Sequence, residues 1–361
     1  MSSTAGAGAY PRNLNRQIHG LRGLSALAVF VYHVYGMGTL WNFWPDSFDP
    51  VAPVFAAGKH GVEIFFMISG YLITGSLIRH ASARAFLADR AIRIYPVFMT
   101  IQLLVFGLGP IIHYKWLSGI APGAWMLAFV ENGLFLPGIF DFPLAQLNAW
   151  SLSYEAAFYL ISAAAFVLAR RTGFLFALAV ALTGVIFAVH AYPRAAFFLP
   201  GVAIYFLTRR RNIVLPDWLR AMSLPAFLAV LAILTAAESQ PISGYLALLP
   251  GFLFFLALVE GKCPFSRALR APMFQYLGTI SYSFYLWSPV VTYPMKLVIQ
   301  RYLLGTMDRG LIVVLFAGFG LIGSLAVATL SYRILEARAG RALHKLVRSS
   351  GEQPRRAISG V

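Results

Sequence analysis

Arg22 and His33 stand eleven residues apart in the run RGLSALAVFVYH. At 100° per residue this separation falls about 20° beyond three full turns, so both side chains share one face of a helix, with a rise of about 16 Å between them. Ionisable groups are costly in so apolar a run and need a reason to be there. An imidazole can serve as a general base, and a carboxylate beside it would orient the ring and raise its basicity. Two carboxylates are candidates for that place, Glu63 in GVEIFFMISGYLIT and Glu155 in WSLSYEAAFYL. Arg90 and Arg93, in DRAIRIYP, are i and i+3 and hence helical neighbours, with Asp89 a candidate partner for one of them. The planar guanidinium fork suits phosphate, and Arg22, Arg90 and Arg93 together would form a cationic mouth. Plainer readings stand beside these: a buried His–Glu pair as structural glue, and arginines that only mark the cytoplasmic ends of helices.

The elements that must position these residues are membrane helices. The chain is 59% hydrophobic and 12% charged with a mean hydropathy of +0.71, against roughly 25% charge in soluble domains. The runs 174–187 and 311–330 carry no charge, and the second has the roughly 20 residues a bilayer crossing needs. Ten spans are predicted, near 17–38, 60–79, 94–113, 149–169, 173–190, 195–208, 222–238, 244–260, 274–296 and 309–335. The stretch 121–138 is apolar but broken by Pro122, Gly123, Asn132, Gly133 and Pro137, and reads as a re-entrant or interfacial segment.

With the N-terminus in the cytoplasm and ten crossings, 23 of the 29 Lys and Arg residues fall on the cytoplasmic side. This bias is that of the positive-inside rule and places the C-terminus in the cytoplasm as well. The reading is therefore an all-α integral membrane protein, with one transmembrane domain over 1–340 and a basic cytoplasmic tail over 341–361. In this topology Glu63, Glu155 and His33 share one depth in the outer half, and the three arginines lie at the inner face. The net charge of +16 follows the helix ends, so it speaks for topology and not for nucleic acid. The single Cys263 allows no intrachain disulfide. The remaining histidines lack metal-ligand spacing, and no metal is expected. Trp41, Phe43, Trp44, Trp116, Trp125 and Trp150 fall in predicted outer loops and read as an interfacial belt, with sugar stacking as the alternative.

Five segments then resemble, in order, the acyltransferase 3 family of membrane acyltransferases: the R-x10-H of Arg22 and His33, GVEIFFMISGYLIT (61–74), the R-x-x-R of Arg90 and Arg93, WSLSYEAAFYL (150–160) and GTISYSFYLWSPV (278–290). The resemblance implies about ten helices in the bacterial plasma membrane. It also implies O-acylation of a carbohydrate or glycoconjugate, from cell-surface glycans to macrolide sugars, with a short acyl-CoA, most often acetyl-CoA, as donor. Some members carry a fused extracytoplasmic esterase-like domain, which this sequence lacks. One departure stands out. Ser288 follows Leu-Trp where the family commonly has histidine, so this position supplies no imidazole and is expected to bear on acceptor binding.

The expected enzyme has two poles. Arg22, Arg90 and Arg93 hold the CoA phosphates, while His33, with Glu155 and Glu63, works nearer the outer face. His33 acts as base on the acceptor hydroxyl or carries the acyl group itself. A polytopic transporter or flippase for a glycan or lipid-linked substrate is the alternative, although no repeat or pair of broken helices of the transporter kind is visible.

Overall fold

In a bilayer every backbone polar group must be satisfied internally, and a chain this apolar does so with helices. The computed structural model describes residues 15–349, apart from 41, 45–49, 112–113, 115–118, 174–191, 211–212 and 238–240. Its main helices are α1 (Arg16–Leu40), α2 (Gly61–His80), α3 (Ala83–Leu108), α4 (Trp125–Gly133), α5 (Ala149–Thr172) and α6 (Phe198–Arg210). They continue with α7 (Ser223–Ala236), α8 (Leu248–Glu260), α9 (Pro272–Val298), α10 (Arg309–Ser331) and α11 (Gly340–Ser349). No strand occurs among the described residues, only isolated bridges.

Among the described residues, five segments are long and apolar enough to cross a membrane: Arg16–Leu40, Ala52–His80, Ala83–Leu108, Ala149–Thr172 and Arg309–Val347. The predicted span at 173–190 lies almost wholly outside the described residues. The stretch 121–138 holds a 3-10 turn, Pro122–Ala124, and the nine-residue α4, which is about 14 Å long and too short to cross. The third predicted span, 94–113, begins earlier than expected. Ser82 caps α3 by accepting from the Ala85 amide at 3.3 Å, so Asp89, Arg90 and Arg93 lie on the helix itself.

Helix α1 is held on two sides by contacts that leave no room for side chains. On one side a Cβ on Gly23 would stand 2.6 Å from the Gly278 nitrogen, and a Cβ on Gly278 would stand 2.2 Å from the His19 carbonyl oxygen, so the backbones of α1 and α9 touch. On the other side the start of α2 comes equally near, with a Cβ on Gly61 falling 2.7 Å from the Ser25 carbonyl oxygen. Without a hydrophobic force between helices in lipid, such small-residue contacts are what hold helices together. They fix both the rotation and the height of the stripe that carries Arg22 and His33.

The rest of the bundle builds outward from this sandwich. Arg90 Nη2 donates to Ser76 Oγ at 3.2 Å and ties α3 to α2. The Tyr282 hydroxyl donates to the Ile94 carbonyl at 2.8 Å and ties α9 to α3. Beyond α10 the chain stays helical through wider turns, Tyr332–Ala339, and passes into α11, where His344 approaches Asp89 of α3 to 3.7 Å. The expected aromatic belt is only partly at the surface. Phe43 is fully buried and meets Phe316 edge-on, and Trp150 packs edge-on against Phe66.

Candidate active site

Two helices deliver three arginines to one place. Arg22 from α1 and Arg90 and Arg93 from α3 line an open cavity at one end of the bundle, together with Glu336 and, from α11, Arg341 and His344. The same three arginines also line a second cavity inside the bundle. They therefore stand at the junction of an open vestibule and a buried chamber. Anions are few here: Asp89 binds Arg90 at 2.6 Å, and Glu336 accepts from Ser283 Oγ at 2.6 Å while acting electrostatically on Arg93 and Arg22.

Leading away from the arginines, the buried chamber is walled by Ser69, Glu155, Tyr159, Ser151 and Tyr285. Glu155 Oε1 accepts from Tyr159 at 2.6 Å and from Ser69 at 3.1 Å. At the far end the hydroxyls of Ser151 and Tyr285 lie 2.8 Å apart. Asn148, buried just before α5, donates its amide to the Tyr285 carbonyl. Asn148 is also the side chain that acts on the imidazole of His33, and among the described residues its Oδ1 has no hydrogen-bond partner. Polar groups thus line the chamber from the arginines through Glu155 to Tyr285, and Asn148, bonded to the Tyr285 carbonyl, lies beside His33.

The structure brings Arg22, Arg90, Arg93 and Glu155 into one chamber, with His33 beyond its far end. It does not give His33 a carboxylate partner. Glu155 turns to Ser69, Tyr159 and the arginines. Glu63 lines a separate cavity, where Oε1 lies 3.5 Å from Arg194 Nε and Oε2 lies 3.6 Å from His60 Nδ1. Among the described residues neither glutamate bonds to His33. Shared depth fixes a residue's height but not the direction it faces around its helix axis, and that is where the expected pairing fails.

Ser288 is buried and spends its hydroxyl on the Tyr285 carbonyl one turn back, at 3.4 Å. Asn148, Tyr285, Tyr159 and Glu336 were missed from sequence. Asn148 precedes the first turn of α5 but makes no side-chain cap hydrogen bond there. Glu336 falls past the end of the last apolar run. Among the described residues no group of His, Cys, Asp and Glu is placed to hold a metal.

A multi-pass helical membrane protein with an arginine-lined chamber is what fold and site define. Residues 15–333 match the family described as Acyltransferase domain, and the chain belongs to this acyltransferase 3 family. Among curated relatives it is 31% identical to Nodulation protein 10 of Rhizobium leguminosarum bv. viciae over 33% of this chain and 37% of that protein. It is 29% identical to the Peptidoglycan O-acetyltransferase OatA of Listeria monocytogenes over 42% of this chain and 24% of that protein. It is also 29% identical to the Exopolysaccharide production protein ExoZ of Rhizobium meliloti, over 64% of this chain and 76% of that protein. The matched region is thus well under two thirds of the first two relatives. No solved structure matches the chain.

Proposed function

We propose that this protein is a membrane-embedded O-acyltransferase that moves a short acyl group, acetyl in the simplest case, from a cytoplasmic acyl-CoA to a hydroxyl of a carbohydrate. The observation that carries the reading is the shared position of Arg22, Arg90 and Arg93 on both the open vestibule and the buried chamber. An anion held by the three guanidiniums from the vestibule can send a thin arm past them toward Tyr285 and His33. Coenzyme A has that shape: phosphates at one end and a thioester on a narrow chain. The rise of about 16 Å from Arg22 to His33 is comparable to such a chain extended.

The membrane topology proposed is ten crossings with both termini in the cytoplasm of a bacterial plasma membrane, supported by the 23 of 29 basic residues that then lie inside. It opens the arginine vestibule to the cytosol, where acyl-CoA is. His33 takes the proton of the acceptor hydroxyl, the oxygen attacks the thioester carbon, and the thiolate of CoA leaves. Asn148 holds the ring, and OatA, named for peptidoglycan O-acetylation, and ExoZ, named for exopolysaccharide, supply the glycan as acceptor class.

The test is purified protein in liposomes with radiolabelled acetyl-CoA and alkali-deacetylated surface glycan from the cells that make it. Label should enter the glycan in an alkali-labile ester, and His33→Ala should lower the rate about 100-fold or more while folding is kept. Movement of glycan across the membrane with no ester formed would favour the transporter reading instead.

A further inference from the structure

We infer that the cavity around Lys59, His60, Glu63 and Arg194 is the acceptor subsite, a pocket for the hydroxyls of a sugar; this rests on the acyltransferase reading above. The cavity lies at the pole opposite the arginines. Helix α2 touches Arg90 through Ser76 at one end and carries Glu63 in its first turn, about 20 Å away along the helix. His60 and Glu63 are 3% and 2% exposed. Among the described residues, both ring nitrogens of His60 and Oε2 of Glu63 lack a hydrogen-bond partner. Buried polar atoms are nearly always satisfied, so such a set asks for a ligand.

The geometry indicates which ligand. Glu63 stands 3.6 Å from His60 and 3.5 Å from Arg194, each contact too long for a good hydrogen bond, so both sides of the carboxylate can take a closer partner. Glu63 needs a donor, while a neutral His60 offers one donor and needs another. A hydroxyl donates and accepts at once and can serve both. Arg194 is held over the Trp150 ring at 5.0 Å, which aims its guanidinium at Glu63.

The pocket also adjoins the reaction path. Val62, Phe65 and Phe66, on the neighbouring face of the same turns of α2, wall the buried chamber, and Glu63 acts electrostatically on Tyr285. A sugar held by Glu63 would therefore stand against the wall behind which the acyl chain arrives.

The experiment measures initial rates in the liposome assay, with deacetylated glycan and acetyl-CoA varied separately, for wild type, Glu63→Gln and Arg194→Gln. Arg194 is half exposed, with 49% of its side chain open, so its variant should fold even if the Glu63 variant does not. The expected result is an acceptor KM raised about tenfold, the cost of one charged hydrogen bond, with the acetyl-CoA KM changed less than about twofold. An unchanged acceptor KM in every folded variant would mean that water alone fills the pocket, and would overturn the assignment. An equal rise in both KM values, or a fall in kcat alone, would overturn it too, because the groups would then serve the donor or the reacting atoms. If wild type forms no ester at all, the acyltransferase reading fails first and the subsite with it.

Discussion

The hydroxyl of Tyr285 lies 2.8 Å from Ser151 Oγ, and this pair closes the buried chamber at the end nearest His33. Ser151 has a second bond, to the Asn148 carbonyl at 3.0 Å, so the contact survives in part when the phenol is removed. Tyr285→Phe should therefore lower stability by only about 1 kcal/mol, read as a small fall in the thermal midpoint in detergent. Turnover should fall more than acyl-CoA affinity, because Tyr285 lies far from the arginines along the chamber.

Arg90→Ala and Arg93→Ala should each raise the apparent KM for acyl-CoA about 10-fold or more, the range of a lost charged hydrogen bond, with less effect on the acceptor KM. Arg93→Lys should recover only part of this loss, since an ammonium lacks the paired donors of the guanidinium. Binding of CoA to purified, correctly folded protein is the measurement. Unaltered affinity in both alanine variants would leave these arginines as topology markers.

Glu155→Gln separates two roles. If Glu155 raised the basicity of His33, its loss would move the acid limb of the rate–pH profile to lower pH. The geometry predicts otherwise. Glu155 faces Tyr159, Ser69 and the arginines, so its neutralisation leaves buried guanidinium charge less balanced. The acid limb should stay where it is and the thermal midpoint should drop; a displaced acid limb would restore Glu155 as the partner of His33.

Ser288→Ala should change the transfer rate by less than about threefold, because the Ser288 hydroxyl bonds within its own helix at 3.4 Å, a weak contact. A larger loss, confined to the acceptor KM, would return Ser288 to acceptor binding.

Gly278→Ala should be far more damaging than its single methyl suggests. The new Cβ would stand 2.2 Å from the His19 carbonyl oxygen, and backbone cannot step aside as a side chain can. A cost of about 1–3 kcal/mol is expected from overpacking, with activity lost as the Arg22–His33 stripe shifts. Thermal unfolding and transfer rate, measured on one preparation, should fall together.

Much of this was legible from spacing. The 3.6-residue period put Arg22 and His33 on one stripe and Arg90 beside Arg93, and the structure keeps both relations because each lies within a single helix. What spacing could not supply is the rotation of one helix against another. That rotation turned Glu155 toward the arginines, sent Glu63 to a different cavity and left Asn148, an unremarked residue before α5, beside His33. Depth came from hydropathy, whereas facing came from where glycines let backbones touch. Glu336 was hidden for another reason: its helix continues past the apolar run by which its end was judged.

The contact between Gly23 and Gly278 also sets a timetable for biogenesis. These residues join the first helix to one made some 250 residues later, and at about 5–20 residues per second the ribosome needs roughly 10–50 s to cover that stretch. Throughout that interval the first helix sits in the membrane without its main neighbour, carrying a guanidinium and an imidazole that lipid cannot solvate well. The insertion machinery must shelter it or hold it near the headgroups until α9 emerges. Closing that contact is then the capture of an early helix by one made much later.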